Sequence, residues 1–151
     1  MGKKKIVEKS QEDTIKETEK VEATLKKESK VPTKIGRISE GRIYISSSYN
    51  NTIITLANTK GQVLASKSAG SVGFKGTKKS TSFASSRVAE AIVNISKKLG
   101  LEKIEVFIKG IGAGRESAVR TLVNQGLNIV SIKDVTPIPH NGTKPPKTRR
   151  V

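Results

Sequence analysis

Three short segments show the alternation of apolar and polar residues that marks half-buried β-strands. They span residues 41–48, 51–58 and 61–68, and polar turns separate them. The second turn contains Gly61, which can adopt the positive φ that a tight hairpin requires. The pattern therefore predicts three antiparallel strands joined by two hairpins.

The spacing of apolar residues becomes helical after the third strand. Over residues 81–99 they recur at intervals of three and four, which is typical of one buried helix face. Ser80 or Thr81 can cap the start of this helix, and Gly100 its end. Three further elements follow: a strand at 103–110, a helix at 115–126 and a strand at 127–135. The order βββαβαβ predicts an α/β fold with a mixed sheet, antiparallel at one side, parallel at the other and covered by helices.

The two ends of the chain do not continue this pattern. Residues 1–34 hold ten Lys and seven acids, few apolar residues and no aromatic. Such a segment cannot bury enough surface to offset its ordering entropy, so we predict a disordered or marginally helical extension. From Thr136 onward the chain carries four of its five prolines, which excludes regular structure. We divide the chain into the extension 1–34, an α/β core 35–135 and an extended basic tail 136–151.

The charge of the chain points to a polyanionic partner. Lys and Arg number 29 against 13 acids, a formal net charge of +16, and the sequence pI is about 10.2. Nucleic acid is the first candidate and an anionic membrane surface the second. No acid lies between Glu40 and Glu90, although seven Lys and Arg do. This segregation favours a binding footprint over a surface of mixed sign.

Several classes of site are excluded by composition. The chain has no Cys and one His, which rules out disulfides, thiolate metal sites and zinc sites built on His clusters. The paired carboxylates of a metal nuclease are missing, so we expect no cofactor, no metal and no catalysis. Five aromatic residues argue against a site built mainly on base stacking. No apolar run reaches the ~20 residues of a membrane helix, and we expect a cytoplasmic protein with no membrane association.

The segment KGIGAGRES, residues 109–117, is the sharpest local feature, since it follows a predicted strand and opens a predicted helix. Its glycines and the helix N-terminus suit a phosphate group, and Arg115 adds a bidentate donor. A dinucleotide site is one interpretation, because Asp134 follows at a suitable distance, but the G-x-G-x-G spacing differs from that fingerprint. Tight strand–helix packing is another interpretation. We favour contact with an RNA backbone.

Two further basic segments suit RNA. The loop GFKGTKKS, residues 73–80, places three Lys among glycines, which lets it follow a phosphate backbone. Its Phe74 either stacks on a base or folds into the core, and the alternative for the lysines is a solvated charge run. The tail 136–151 is extended by its prolines and presents Lys and Arg between RNA helices, unless it is a mobile charged terminus.

Three segments carry a family resemblance: GSVGFKGTKKSTSFAS, KGIGAGRES and DVTPIPHNGTKPPKTRRV. In this order and spacing they closely resemble the small-subunit ribosomal protein eleven family in its bacterial form. The similarity runs from about Gly36 to Val151. Ile111 and Ala113 stand where the family usually has prolines, and Thr143 stands where many members carry Cys.

The resemblance implies a ribonuclease-H-like fold without nuclease chemistry, and a place on the platform of the small ribosomal subunit in the cytoplasm. There the family bridges helices of 16S ribosomal RNA and helps form the cleft for the Shine–Dalgarno duplex of messenger RNA. Its implied protein neighbours are the seventh and eighteenth small-subunit proteins, with contact to initiation factor three. The role of residues 1–34 does not carry over, because this extension is longer and more acidic than the family's basic arm.

Together these arguments predict an rRNA-binding structural protein, with a small nucleotide-dependent enzyme using the 110–115 loop as the alternative. The predicted RNA-binding residues lie in the first turn, the two glycine-rich loops and the tail. They are Asn50, Asn51, Phe74, Lys75, Lys78, Lys79, Gly112, Gly114, Arg115, His140, Asn141, Lys144, Lys147, Arg149 and Arg150.

Deletion of residues 1–30 is expected to leave folding and incorporation into ribosomal particles nearly unchanged. The segment has no core-forming pattern and its charges nearly balance. Truncated and full-length protein should therefore compete equally for small subunits during reconstitution. Exclusion of the truncated protein would show that the extension makes an essential contact.

Overall fold

Five strands and two helices follow one another in the order βββαβαβ, which confirms the predicted succession. The computed structural model describes residues 39–144, 146 and 147. The strands are β1 (Glu40–Ser47), β2 (Thr52–Asn58), β3 (Val63–Ser68), β4 (Lys103–Lys109) and β5 (Ile129–Asp134). The helices are α1 (Ser82–Leu99) and α2 (Gly114–Asn124), and a 3₁₀ turn, Gly76–Ser80, precedes α1. The predicted disorder of residues 1–34 lies outside the described residues.

The strands form one mixed sheet in the order β3-β2-β1-β4-β5. The hairpins make β2 antiparallel to both β1 and β3, whereas β1, β4 and β5 pair in parallel. This confirms the predicted sheet, antiparallel at one side and parallel at the other. It follows that β1, β3, β4 and β5 all run in the same direction and end at the same edge of the sheet. The ribonuclease-H-like assignment stays a prediction.

The core lies between one face of the sheet and the two helices. Ile43, Leu56 and Val106 lie side by side on three adjacent strands, and all are fully buried. They pack with the apolar face of α1 and with Ala118 and Leu122 of α2 in a single cluster. Each such aliphatic side chain contributes about 1.5–3 kcal/mol when it leaves water. Since both helices pack on this face, the described fold has two layers.

Helix α1 begins and ends as its sequence predicts. The Thr81 hydroxyl accepts a hydrogen bond from the Ala84 backbone N–H at 3.2 Å, and Gly100 adopts the left-handed conformation with φ of 73°. Gly61 likewise has a positive φ, 86°, in the β2–β3 hairpin. Neither described helix is long and apolar enough to cross a bilayer.

Candidate nucleic-acid interface

Sheet topology gathers the predicted binding segments at one end of the molecule. Because four strands run in the same direction, the loops that follow them start from a common side, which we call the carboxyl edge. The turn between β1 and β2 lies at this edge as well. The segments found there are 48–51, 69–81, 110–113 and the start of the tail from 135. Each predicted RNA-binding segment therefore begins at the carboxyl edge.

Both helices begin at the carboxyl edge and run back toward the opposite edge. Helix α1 follows β3 and leads to the start of β4, and α2 connects β4 to β5 in the same way. The positive ends of both helix dipoles therefore face the side on which the basic loops lie. The first turn of α1 contains no acid, and that of α2 contains Glu116. This arrangement favours anions at the carboxyl edge.

The basic loop places its lysines on or near a short 3₁₀ turn. Lys75 precedes the turn, and Lys78 and Lys79 lie within it. Lys75 and Lys78 are exposed and Lys79 is half-buried. The chain on both sides of this loop is free of acids from Gly41 to Ala89. The loop therefore brings three cations close together on a stretch of backbone that holds no negative side chain.

The two phenylalanines beside this loop have different surroundings. Phe74 is half-buried and packs against the core, as the alternative interpretation of this residue held. Its ring meets the Phe83 ring edge-on, with centroids 5.9 Å apart. Phe83 is 51% exposed, and the Arg87 guanidinium lies 5.3 Å from its centroid. Sequence reasoning did not single out Phe83, because its position on the first turn of α1 gave no sign that its ring stays in solvent.

The β1–β2 turn is closed by its own hydrogen bonds, and its central residues are exposed to solvent. The Ser48 hydroxyl donates to the Asn51 carbonyl at 3.1 Å and accepts from the Asn51 N–H at 3.2 Å. Asn50 is exposed, and the neighbouring Tyr49, which sequence reasoning missed, is 74% exposed. The Asn51 side-chain Oδ1 is buried and has no hydrogen-bond partner among the described residues.

The glycines of the 110–114 loop are required by close packing. The Gly112 N–H donates to the Ser47 carbonyl at 3.1 Å, which ties the loop to the end of β1. A Cβ added to any of the three glycines would meet an oxygen of the first hairpin far inside contact distance. The separations would be 2.1 Å for Gly110 and Ser47 O, 2.3 Å for Gly112 and Ser48 O, and 2.3 Å for Gly114 and Thr52 Oγ1. The geometry supports the packing interpretation, while contact of this loop with RNA stays a prediction.

Arg115 joins the glycine loop to the start of the tail. Its guanidinium donates to the Gly110 carbonyl at 3.0 Å and to the Asp134 carboxylate at 2.5 Å. The other Asp134 oxygen accepts from the Thr136 hydroxyl at 2.6 Å and from the Thr136 N–H at 2.9 Å. The Thr136 hydroxyl in turn accepts from the Gly110 N–H at 3.1 Å. We call these four residues the tail clamp, because they set the direction in which the chain leaves β5.

The tail clamp keeps Asp134 ionised and engages hydrogen-bond donors of Arg115. The Thr136 hydroxyl and then the Arg115 guanidinium hold the pKa of Asp134 well below its ordinary value, so the carboxylate stays ionised. Asp134 is thus engaged within the chain, which argues against its use as the ribose ligand of a dinucleotide site. Arg115 uses two of its N–H donors for Gly110 and Asp134. Its predicted contact with an RNA phosphate depends on the donors that remain.

Beyond Thr136, the described part of the tail is exposed. His140, Asn141, Lys144 and Lys147 all lie in solvent, and Asn141 adopts a positive φ of 54° at the predicted turn. Arg149 and Arg150 lie outside the described residues. Within residues 39–144, 146 and 147 no three His, Asp or Glu side chains converge on a potential metal position.

Gly114→Ala is expected to destabilise the fold. Its Cβ would meet Thr52 Oγ1 at 2.3 Å and the Ser85 Cβ at 2.8 Å, and overpacking of this kind costs roughly 1–3 kcal/mol. Urea unfolding gives the change in free energy. The control is Gly70→Ala, where the nearest atoms lie at 3.8 Å. Equal stability of the two variants would contradict the packing role.

Asp134→Asn is expected to lower stability at neutral pH and to matter less in acid. Because the folded pKa of Asp134 is depressed, its contribution is present above the unfolded value near ~3.9 and is lost as pH falls toward the folded value. Unfolding curves of both proteins at pH 7 and pH 3 test this. Thr136→Val, which removes the hydroxyl bond, should weaken the same pH dependence. A constant difference between wild type and Asp134→Asn at the two pH values would argue against the clamp.

Comparisons with known proteins confirm the family resemblance of the sequence. The family model for ribosomal protein S11 matches residues 41–150. The small ribosomal subunit protein uS11 of Treponema pallidum (strain Nichols) is 52% identical over 114 residues, which cover 76% of this chain and 90% of the relative. The protein of the same name from Borreliella afzelii (strain PKo) is 51% identical over 114 residues, 76% of this chain and 88% of the relative. This chain therefore belongs to the ribosomal protein S11 family.

Proposed function

We propose that this protein is a structural, non-catalytic component of the small ribosomal subunit that binds 16S ribosomal RNA through its carboxyl edge. The observation that carries the proposal is the convergence of four separate segments and two helix N-termini on one side of the sheet. Membership of the ribosomal protein S11 family supports it. The relatives, which are named as small-subunit proteins, support it as well.

The distribution of charge agrees with RNA binding at this edge. The lysines of the 75–79 loop and Lys109 lie at or next to the carboxyl edge, and the tail begins there with further cations. The acid at this edge that ends β5, Asp134, is paired with Arg115. Glu116 also lies at this edge, in the first turn of α2, and the opposite edge holds the acids Glu40 and Glu102 together with the cations Lys97 and Lys103. The carboxyl edge is distinguished by its basic loop and by the two helix N-termini, which favour contact mainly with phosphate and sugar.

Separate binding segments suit a protein that bridges RNA helices. The 75–79 loop, the 48–51 turn and the tail leave the core at different strands, so each can reach a different part of a folded RNA. The family resemblance extends this proposal to the platform of the subunit and to the cleft of the Shine–Dalgarno duplex. By the same resemblance, the small-subunit proteins seven and eighteen and initiation factor three are its neighbours, in the cytoplasmic ribosome.

The proposal predicts a specific change in the salt dependence of RNA binding. Lys75→Glu, Lys78→Glu and Lys79→Glu together should weaken binding to 16S ribosomal RNA. They should also flatten the plot of log K against log salt by about 0.7–0.9 for each phosphate that is no longer neutralised. Filter binding or fluorescence anisotropy over a series of salt concentrations gives this slope.

The matched control makes the same change of net charge away from the carboxyl edge. Lys60, Lys97 and Lys103 lie in the β2–β3 hairpin, at the end of α1 and at the start of β4, and all three are exposed. Their replacement by Glu should reduce general electrostatic attraction but leave most of the slope. Equal slopes for the two triple variants would contradict a directed interface. The wild-type protein should also sediment with small subunits in a lysate gradient.

A further inference from the structure

The face of the sheet opposite the helices carries an aromatic pair. Among the described elements both helices pack on the other face, so these side chains project from an uncovered sheet. Tyr44 of β1 and Phe107 of β4 are register partners, and their rings stack with centroids 5.1 Å apart and an angle of 17° between the planes. Parallel rings this close cannot lie edge to edge in one plane. They therefore stand up from the sheet with their faces toward each other.

The stack lies in a row that crosses the sheet. On one side, Lys133 of β5 is the register partner of Phe107, and its Nζ lies 5.6 Å from the centre of that ring. On the other side, Thr55 is the partner of Tyr44 and Ser66 is the partner of Thr55. Lys133, Phe107 and Tyr44 thus occupy consecutive positions, and the next positions hold only short side chains.

The short side chains leave space beside Tyr44. Thr55 and Ser66 are bonded to each other through their hydroxyls at 3.2 Å, which holds both close to the sheet. Tyr44 keeps 37% of its surface exposed, and in the register Thr55 lies on the side of Tyr44 away from Phe107. Ile53 and Ala57 flank Thr55 along β2. We call the open surface beside Tyr44, with Thr55 and Ser66 beneath it, the slot; one flat group placed there would stack on the Tyr44 ring.

The open face has an excess of positive charge, which lies mainly on the Phe107 side of the stack. Glu105 is shared by two cations, with Arg42 Nε at 3.0 Å and Lys133 Nζ at 3.8 Å from its carboxylate oxygens. Lys109, the last residue of β4, lies on the same face as Phe107 and is at the carboxyl edge. A ligand with a flat aromatic part joined to an anionic backbone fits this pattern. Between Tyr44 and the carboxyl edge, Ser46 is the next exposed residue of β1.

We propose that the slot beside Tyr44 binds one unpaired base of RNA, which extends the Phe107–Tyr44 stack by one ring. Base stacking on sheet-borne aromatics with flanking cations is a general mode of single-strand recognition. The identification of the ligand as an RNA base rests on the proposed RNA-binding function. The existence of the slot rests only on the geometry of the open face. An apolar partner would leave the excess positive charge of this face, Arg42, Lys109 and Lys133 against Glu105, without a counterpart, whereas a nucleotide supplies both a ring and an anionic backbone.

Binding of a single-stranded RNA hexamer that carries 2-aminopurine tests the slot with the full-length protein. The base analogue loses fluorescence when it stacks, so both affinity and stacking are measured. Tyr44→Leu should weaken binding about tenfold and abolish the loss of fluorescence, and Tyr44→Phe should restore both. Thr55→Phe fills the slot with a ring of the protein itself and should act like Tyr44→Leu. Its matched control is Val130→Phe, on β5 at a position that is 62% exposed, which should bind like wild type.

Salt dependence separates this inference from the proposed function. Tyr44→Leu removes no charge, so its slope of log K against log salt should equal that of wild type. If Tyr44→Leu and Thr55→Phe both keep the affinity of wild type and its loss of fluorescence, the proposal that a base binds in the slot is wrong. The face would then contact a protein partner or solvent. If the Lys75, Lys78 and Lys79 variant binds RNA normally while Tyr44→Leu does not, the carboxyl edge proposal fails and the slot stands.

Discussion

Parallel pairing of β1 with β4, and of β4 with β5, decides where the loops of this protein lie. Two neighbouring parallel strands cannot be joined by a tight turn, so the chain must return through a helix after β3 and again after β4. Each return places a loop and a helix N-terminus at the same edge of the sheet. The positive charge of the carboxyl edge is therefore a consequence of strand direction as much as of lysine content.

Some residues at the carboxyl edge hold the fold together, and others are exposed to solvent. At Gly110, Gly112 and Gly114 the loop lies so close to the first hairpin that a Cβ does not fit, and Arg115 and Asp134 are bonded to each other. These groups hold the loop and the tail in place. Lys75 and Lys78, by contrast, are exposed beside and within a short 3₁₀ turn. A rigid support under charged segments lowers the entropy that is given up when RNA binds.

The open face of the sheet offers a stacked pair of aromatic rings in addition to the charges of the carboxyl edge. Five aromatic residues in the whole chain argue against base stacking when they are counted along the sequence. The β1–β4 register nevertheless brings Tyr44 and Phe107, which are far apart in sequence, to a ring separation of 5.1 Å. Contacts of this kind depend on register, because a shift of β1 by one residue against β4 would put the two rings on opposite faces of the sheet.

The local pattern of the chain was enough to predict the order of the elements, a cap at Ser80 or Thr81, the cap at Gly100 and the basic segments, because each depends on neighbours in sequence. The motifs were also enough to identify the family. Tertiary structure alone decided that both helices share one face, that Arg115 is bonded to Asp134, and that Phe74 packs inward while Phe83 stays exposed. Each of these involves residues brought together by strand pairing or helix packing, and neither the periodicity nor the composition of a single chain contains that information.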